Sequence, residues 1–423
     1  MTALATLPAQ PSAAPASDRT TLLRQLRRVE RRKRLRAMAL TLPLLIFLAV
    51  TFLVPLGALL MRAVENPEVA ASLGSTGTAL QGWDRKAAPP DQAYAALLKD
   101  LAAIHETAQA GVLARRLNTE VGGARSLIMN TYRALPLANA DSPAQARDAM
   151  IALDPRWAEL PYWWAIAKNS ARWTPDYLLT AVDLKRDAQG NVVRVGSDEA
   201  AFSDILVRTF YISSIVTLCC IALGYPLAYW LSTLSARRAN LMMILVLLPF
   251  WTSVLVRIAA WIVLLQSSGL VNRFLQFIGV INEPLALLFN RVGVIIAMVH
   301  ILLPFMVLPL YSVMKSIPGN YVKAAISLGS PPFKAFLRVY VPQTFPGVAA
   351  GGLLVFITAI GYYVTPALLG GPADQMLSYY VAQYTNVEVN WGMACALGSV
   401  LLTATLVLYV FYRRFAKAEL SLS

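Results

Sequence analysis

The side chains that most often do chemistry in proteins are scarce in this sequence. It has two histidines, His105 and His300, and three cysteines among its 423 residues. A structural or catalytic metal site needs three or four His, Cys, Asp or Glu ligands, and neither histidine belongs to such a pattern. No glycine-rich phosphate-binding loop ends in Lys and Ser or Thr. The sequence therefore predicts no catalytic residue and no metal site, and it does not predict ATP binding by such a loop.

Two ionisable side chains, Arg257 and His300, lie inside apolar stretches long enough to cross a membrane. A charge is costly in hydrocarbon, so Arg257 should face a partner or a water-filled cavity. The first interpretation is a structural pair or snorkelling to the membrane surface, and contact with a substrate is the second. For His300 the first interpretation is a hydrogen bond between helices.

A third feature is the segment Tyr321–Pro342, called the elbow below, which lies between two long apolar stretches. Gly329 can take the left-handed conformation that ends a helix. Ser330 can cap the next helix, and Pro331 suits its first turn. We expect a rigid helix–turn–helix that passes force to a soluble partner; the alternative is a well-capped loop without that role.

Membrane helices are the elements that must position these residues. The chain is 57% hydrophobic and 14% charged, and its mean hydropathy is +0.54, which is typical of a multi-span membrane protein. A span needs about 20 mostly apolar residues. The sequence predicts six spans, at residues 39–61, 207–231, 241–265, 291–314, 346–369 and 391–412. We therefore expect an all-α membrane protein in contact with the lipid bilayer.

Basic residues predict the orientation of these spans. The basic run Arg24–Arg36 precedes the first span. Others follow the second, fourth and sixth spans: Arg237, Arg238, Lys315, Lys323, Lys334, Arg338, Arg413, Arg414 and Lys417. Basic loops stay in the cytoplasm, so both termini should be cytoplasmic. The net charge of +14 is then mainly a topology signal. Nucleic-acid binding is not expected, because the basic residues adjoin the membrane ends.

The same patterns divide the chain into five parts. We expect a disordered basic cytoplasmic tail at residues 1–37 and a first span at 38–61. An extracytoplasmic domain should follow at 62–206, then five spans over 207–415 and a cytoplasmic tail at 416–423.

Residues 62–206, called the insert below, break the membrane pattern between the first two spans. They contain 15 Lys and Arg against 17 Asp and Glu, a balance that suits a domain on the outer side. A capping box at Ser142–Gln145 predicts a helix through Leu153, and another helix is expected at 156–171. Asp187–Asn191 should form a hairpin turn. Helical spacing is also shown by Tyr94, Leu97, Leu98, Leu101 and Ile104.

Four tryptophans of the insert allow two interpretations. They are Trp157, Trp163, Trp164 and Trp173. Tryptophans in such a domain usually fill the core or anchor it at an interface. We also expect that they could give apolar anchors to a docking partner. The insert has no cysteine, so no disulfide is expected there.

The elbow resembles the EAA loop of the permease subunits of bacterial ATP-binding-cassette importers. In that family an Ala-Ala pair precedes a glycine, and an aliphatic–x–aliphatic–Pro ending follows. Ala324-Ala325, Gly329 and Val339 to Pro342 fit that spacing, and Lys323 stands where the family has Glu. Segments 223–230, 248–257 and 301–311 are similar to the first permease subunit of spermidine/putrescine importers. The similarity covers about 205–415 and leaves out the insert.

This resemblance implies a six-span type I importer permease of the bacterial inner membrane, with its EAA loop at 315–345. A second permease completes the pathway, and a periplasmic binding protein delivers the substrate. Two partner ATPase subunits bind ATP and Mg and clasp the elbows, so this chain is not itself an enzyme. The implied coupling residues are Ala324, Ala325, Gly329, Ser330, Phe333 and Pro342. The implied pathway residues are Trp251, Arg257, Tyr362 and Tyr363.

The substrate implied by the resemblance is a polyamine of the spermidine or putrescine kind. Related branches that import opines, modified amino acids or phosphonates keep similar motifs and remain alternatives. Two other classes stay open: a membrane sensor or scaffold with a ligand-binding outer domain, and an ion-driven carrier. A carrier usually shows internal repeats and coupling acids in its spans, and a sensor needs a cytoplasmic output domain. Neither feature is expected in this chain.

Overall fold

The first helix of the computed structural model begins earlier than expected. Residues 16–138, 140–187, 190–196 and 200–420 are described, so the tail residues 1–15 and 421–423 lie outside that range. Helix α1 runs over Ala16–Arg62. Residues 16–37, expected to be disordered, therefore belong to α1, because their many Leu, Arg and Gln residues are strong helix formers.

The described part of the insert is mostly helical, as expected. Its helices are α2 (Pro67–Ala70), α3 (Gly74–Ala79), α4 (Asp91–Ala102), α5 (Thr107–Asn118), α6 (Ala124–Ala134), α7 (Pro143–Leu153), α8 (Leu160–Asn169) and α9 (Asp176–Thr180). A hairpin of β1 (Leu184–Arg186) and β2 (Val192–Arg194) follows, antiparallel, with Lys185 opposite Val193. The predicted hairpin is thus confirmed.

Two predicted helices of the insert are confirmed and one is divided. The helical spacing that starts at Tyr94 falls on α4 through Leu101, Ile104 lies two residues past the end of α4, and all five apolar side chains are buried. Ser142 and Gln145 form the predicted capping box of α7. The helix expected at 156–171 is instead a 3₁₀ turn, Pro155–Ala158, followed by α8. Pro161 explains the division, since proline is tolerated only in the first turn of a helix.

Trp157 and Trp163 form the centre of the insert core. Both are fully buried, and their ring centroids are 5.4 Å apart. Trp157 donates from Nε1 to Oγ1 of Thr131 at 2.9 Å, and Trp163 donates to the carbonyl of Trp157 at 2.9 Å. The expectation of a core role is confirmed for both. The expectation that these two serve as docking anchors is wrong, because they are buried. Trp173 is 52% exposed, and its role as an anchor stays a prediction.

Two segments of the insert, one before α2 and one after α8, meet side by side at what we call the neck, residues 64–66 and 172–174. Asn66 N–H donates to the carbonyl of Arg172 at 2.8 Å, and Thr174 N–H donates to that of Val64 at 2.8 Å. The buried Asn66 side chain also donates to Oδ1 of Asn169 at 3.0 Å. The neck thus holds the two ends of the segment α2–α8 next to each other.

The remaining chain forms eleven helices in the described region. They are α10 (Phe202–Thr233), α11 (Ala236–Leu247), α12 (Val254–Leu265), α13 (Leu270–Phe277), α14 (Arg291–Ser316), α15 (Asn320–Ser327), α16 (Pro332–Ala335), α17 (Val341–Ile360), α18 (Val364–Leu369), α19 (Leu377–Asn386) and α20 (Trp391–Leu420). Residues 416–420, expected in a tail, continue α20.

Among the described residues, six helical segments are long and apolar enough to cross a membrane, which agrees with the predicted number. They are Met38–Arg62, Phe202–Thr233, Val254–Phe277, Arg291–Ser316, Pro332–Ile360 and Trp391–Val410. We number them spans 1 to 6 in that order.

Spans 3 and 5 differ in their limits from the prediction. The predicted stretch 241–265 is broken by a 3₁₀ turn at Leu248–Trp251, where Pro249 cannot continue the hydrogen bonds of α11. Span 5, predicted at 346–369, instead starts at Pro332 and ends at Ile360. Non-helical residues 361–363 separate it from α18. Apolar composition alone could not locate these breaks.

Helices α10, α14 and α17 form the centre of the membrane bundle. Met306 of α14 is fully buried between two glycines on the neighbouring helices. A Cβ at Gly224 would lie 2.8 Å from Met306 Cγ, and one at Gly351 would lie 3.0 Å from the Met306 carbonyl oxygen. Small residues let membrane helices approach closely. Gly224 and Gly351 therefore allow α14 to pack closely against α10 and α17.

Asp183 joins the insert to span 2. Its φ is +57°, and its carboxylate accepts hydrogen bonds from the N–H groups of Ala201, Phe202 and Ser203 at 2.7–3.1 Å. These are unpaired donors at the start of α10. A carboxylate from outside the helix therefore caps span 2.

Helix α9 joins the insert to span 6. A Cβ at Gly392, near the start of α20, would lie 2.3 Å from the ring of Tyr177 in α9. Tyr177 and Ala181 share a buried apolar cluster with Ile205 of α10 and Met393 of α20. The exit of the insert is thus packed directly on the ends of spans 2 and 6.

Candidate functional site

The first half of the elbow is ended by Gly329, as predicted. Gly329 has a φ of +91°. Its N–H donates to the carbonyl of Ile326 at 2.9 Å, and Ser330 N–H donates to that of Ala325 at 3.0 Å. This pair of bonds is the Schellman motif. No atom lies within 4 Å of a Cβ built on Gly329, so the backbone conformation, and not lack of space, requires glycine there.

The second half of the elbow starts one residue later than predicted. Pro331 is the extended residue before α16, and Pro332 is the first helical residue. Ser330 does not cap this helix, so that prediction is wrong. Two successive prolines explain the shift, because Pro332 has the fixed φ and the missing N–H that suit a first helical position.

A single wide turn joins α16 of the elbow to α17. Phe336–Tyr340 form a π-helical turn between α16 and α17. Pro342 follows at the second position of α17, where its ring would meet the carbonyl four residues earlier in a regular helix. A π turn changes that spacing. Pro342 therefore shapes the entry into α17.

The side of the elbow that faces the helix bundle is packed against span 2 through aromatic rings. Tyr229 of α10 meets Phe336 at 5.2 Å and Tyr340 at 5.4 Å between ring centroids. Phe336 and Tyr340 stack on each other. Lys315 donates from Nζ to two carbonyls at the end of α10, each at 3.1 Å. The elbow is thus joined by side chains to span 2 and by backbone to span 5.

The side of the elbow that faces away from the helix bundle exposes apolar side chains. Leu328 is 89% exposed and Phe333 is 71% exposed, on either side of Gly329. Tyr321 and Ile326 are also exposed on α15, and Leu337 is exposed in the π turn. Of the predicted coupling residues, Ala324, Gly329, Phe333 and Pro342 are exposed, and Ala325 and Ser330 are half-buried. We call the exposed side chains of Leu328 and Phe333 the apolar tip. Exposed apolar side chains of this kind are typical of a surface that another protein covers.

A polar cluster lies among the predicted pathway residues. Arg257 of α12 interacts electrostatically with His300 of α14 and with Tyr362 after α17. Trp261, one helical turn after Arg257, donates from Nε1 to His300 Nδ1 at 3.2 Å. The predicted interhelical hydrogen bond of His300 is confirmed. Because indole only donates, Nδ1 is the acceptor and the imidazole proton is on Nε2.

The structure brings together only part of the predicted pathway set. Arg257 and Tyr362 belong to the cluster, whereas Trp251 is 72% exposed on the turn before α12 and Tyr363 is exposed ahead of α18. Trp261 was missed. Its signal in the sequence is the four-residue spacing from Arg257, which places both on one helix face.

The charge of Arg257 has no acidic partner among the described residues. Its Nε–H is buried and donates no hydrogen bond to any described residue. Between residues 205 and 415 the sequence has three acids, Glu283, Asp374 and Glu388. Asp374 is paired with Arg291 at 3.0 Å. The cluster is therefore a cationic, hydrogen-bonding group of side chains shared by spans 3 and 4.

The structure offers no metal site in the part of the chain that it describes. No group of three or more His, Cys, Asp or Glu side chains is close enough there to hold an ion. The three cysteines lie inside spans 2 and 6 and are unpaired.

Comparison with known proteins places residues 220–419 in a described family. They match the model of the binding-protein-dependent transport system inner membrane component. The spermidine/putrescine transport system permease protein PotB of Haemophilus influenzae is 36% identical over 214 residues, which are 50% of this chain and 74% of that protein. PotB of Escherichia coli is 36% identical over 215 residues, 50% of this chain and 78% of its own.

More distant proteins also match. The molybdenum transport system permease protein ModB of Azotobacter vinelandii is 28% identical over 218 residues, 50% of this chain and 94% of its own. A bacterial ABC transporter that imports the acidic polysaccharide alginate has a chain 18% identical, with a TM-score of 0.44, covering 51% of this chain and 79% of its own.

The matched region 220–419 contains the elbow, the Arg257 cluster and spans 3 to 6. The insert lies outside that region. The sequence-based resemblance to importer permeases is thus confirmed, and this chain belongs to the family of binding-protein-dependent transport system inner membrane components.

Proposed function

We propose that this chain is a permease subunit of an ATP-driven importer and that its elbow receives the force of ATP hydrolysis. The observation that carries the proposal is the elbow itself. Its exposed apolar tip is held by a Schellman turn, and its base is tied to spans 2 and 5. Movement of the tip is therefore passed to two spans at once, which can bias the bundle between inward-open and outward-open states.

The assembly proposed from this role has four kinds of subunit. A second permease faces this one, two ATPase subunits bind ATP and Mg and hold the elbows, and a periplasmic binding protein delivers the substrate. The family name includes binding-protein dependence, which supports the last partner. The basic ends of the spans support a cytoplasmic elbow, cytoplasmic termini and an extracytoplasmic insert.

The proposed substrate is a polyamine, because two relatives at 36% identity are named as spermidine/putrescine permeases. Arg257 has the same charge sign as a polyamine, and spans 3 to 5 contain no acid. Acidic contacts to the substrate would then come from the second permease. Arg257 also favours a second candidate, a substrate with a carboxylate or phosphonate such as an opine, a modified amino acid or a phosphonate.

The coupling proposal is tested by Gly329→Val in the assembled importer. Valine resists a φ of +91° strongly, so the turn should distort while the spans stay inserted. We expect the assembled complex to hydrolyse ATP without substrate uptake. Wild-type uptake by a stably inserted Gly329→Val variant would contradict the role of the elbow.

Competition of labelled spermidine uptake by putrescine, an opine and a phosphonate separates the two substrate candidates.

A further inference from the structure

The exposed face of the elbow has one sign of charge. Lys323, Lys334 and Arg338 are all exposed. No Asp or Glu occurs between residues 284 and 373, so the elbow contains no acid to balance them. None of the three forms an ion pair in the described structure. Lys315 differs, because its ammonium donates hydrogen bonds to two backbone carbonyls at the end of α10.

These cations alternate with the apolar tip along the two elbow helices. Lys323 follows Tyr321 on α15, and Lys334 follows Phe333 on α16. Arg338 follows Leu337 in the π turn. The most exposed side chains, Leu328 and Phe333, are thus flanked by positive charges on both helices. An apolar centre with a charged rim is the usual composition of a protein–protein interface.

We propose that the elbow binds an acidic groove: an apolar pocket on the ATPase subunit whose rim carries Asp or Glu opposite Lys323 and Lys334. This inference rests on the proposed function and adds the chemistry of the partner surface. Charge complementarity of this kind fixes the register of docking and speeds association. It also discriminates against wrong partners, so ATPases with a basic rim are rejected.

Positive charge at cytoplasmic span ends is also a topology signal, and the experiment must separate the two roles. Arg237 and Arg238 provide the matched control. Both are exposed at the start of α11, on the same cytoplasmic side under the proposed topology, and neither belongs to the elbow. If these charges act only as a topology signal, charge reversal of either pair should have the same effect. If the elbow binds an acidic groove, only charge reversal of Lys323 and Lys334 should weaken ATPase binding.

The test measures binding of the purified ATPase partner to the chain in lipid nanodiscs at 50 and 500 mM salt. We expect Lys323→Glu/Lys334→Glu to weaken binding about tenfold at low salt, with a smaller loss at high salt because the Debye length shrinks to a few ångströms. Arg237→Glu/Arg238→Glu should bind like the wild type. Reversing the opposing acids of the ATPase groove to lysine should restore binding of the elbow variant.

A third variant keeps this inference separate from the coupling role. Leu328→Ala/Phe333→Ala removes the apolar tip and keeps the charges. If it weakens binding while Lys323→Glu/Lys334→Glu binds as well as or better than the wild type, the acidic groove is wrong and the coupling role stands. If neither variant weakens binding, the elbow is not the ATPase site and both proposals fail. An equal loss in the Arg237→Glu/Arg238→Glu control would also overturn the acidic groove.

Discussion

Asp183 shows how one side chain can connect two parts of this protein. Its carboxylate caps span 2 from a position in the left-handed region, which Asp and Asn tolerate better than most residues. Burial alone would raise the pKa of Asp183, but the hydrogen bonds from Ser203 and its neighbours outweigh burial and hold that pKa below its ordinary value. The charged cap is therefore the stable form at neutral pH.

We expect Asp183→Ala to lower the free energy of unfolding by about 1–2 kcal/mol, because it removes the cap and retains the unfavourable φ. Asp183→Asn should lose much less, since an amide oxygen still accepts from the N–H groups of α10. Thermal unfolding in nanodiscs measures both. Equal losses in the two variants would contradict the capping role.

A second group of residues predicts how the insert responds to acid. Lys168 donates to Glu120 at 2.8 Å, and Arg186 donates to Asp176 at 2.6 Å. Burial would raise the pKa of each carboxyl. For Glu120 the charges of Lys168 and Arg116 outweigh burial, and for Asp176 the Arg186 hydrogen bond and the charge of Lys168 do so. Both pKa values therefore lie below the ordinary range.

A carboxyl with a lowered pKa in the folded state stabilises the protein above its unfolded pKa, about 4, and loses that contribution as pH falls further. We expect the melting temperature of the insert to be steady from about pH 5 to 8 and to fall below about pH 4. Asp176→Asn should lower stability at neutral pH by about 3 kcal/mol, because it leaves cations without a partner, and should flatten the acid response. The exposed Glu159→Gln is the control, and tryptophan fluorescence is the readout.

At the scale of elements, two adjacent glycines on α17 test the packing of spans 4 and 5. A Cβ at Gly351 would lie 3.0 Å from the Met306 carbonyl oxygen and 3.2 Å from its Cα, backbone atoms that cannot rotate away. A Cβ at Gly352 would meet only ordinary contacts near 3.8 Å. We expect Gly351→Ala to destabilise the bundle by about 1–3 kcal/mol.

Gly352→Ala should be neutral or stabilising by up to about 1 kcal/mol, because alanine is the better helix former. Thermal denaturation of the two variants in the same lipid makes the comparison direct. If Gly351→Ala were as stable as Gly352→Ala, the close approach of α14 and α17 would be wrong.

The elements also show what the sequence could and could not predict. Span number, the left-handed Gly329, the capping box of α7 and the hairpin follow from local signals, namely apolar length, turn residues and cap spacing. The start of α16 could not be assigned, because Ser330, Pro331 and Pro332 are all suitable at a helix start. Trp261 and the rings of Tyr229, Phe336 and Tyr340 escaped notice because their contacts join distant parts of the chain.

At the scale of the whole molecule, the orientation of the spans can be read by chemical labelling. Single cysteines at the exposed positions Lys99, His105 and Lys334 are placed in a background without Cys219, Cys220 and Cys395. The first two should react with an impermeant thiol reagent on intact cells, and the third should react only after the membrane is opened. Labelling of the Lys334 site from outside would reverse the proposed topology.

The neck suggests a way to remove residues 67–171 of the insert. We expect replacement of residues 67–171 by a short Gly/Ser linker to keep six inserted spans and ATPase binding, because the remaining ends already lie side by side. We propose that the insert contacts the binding protein or the second permease and does not bind substrate, so the replacement should weaken docking or assembly. Calorimetry checks this by measuring substrate binding to the importer and to the linker variant, both without the binding protein. If substrate binding were lost together with the insert, the sensor alternative would be favoured.

The neck has a practical consequence for imaging. Membrane proteins with little mass outside the bilayer are hard to align in electron micrographs, and a rigid marker removes that difficulty. Two chain ends held by backbone hydrogen bonds at 2.8 Å are a ready attachment point for any foreign domain whose own termini are adjacent, because little closure entropy is lost there. This protein already has such a marker: the Asp183 cap and the Tyr177–Gly392 contact fix about a hundred residues of helical mass to spans 2 and 6.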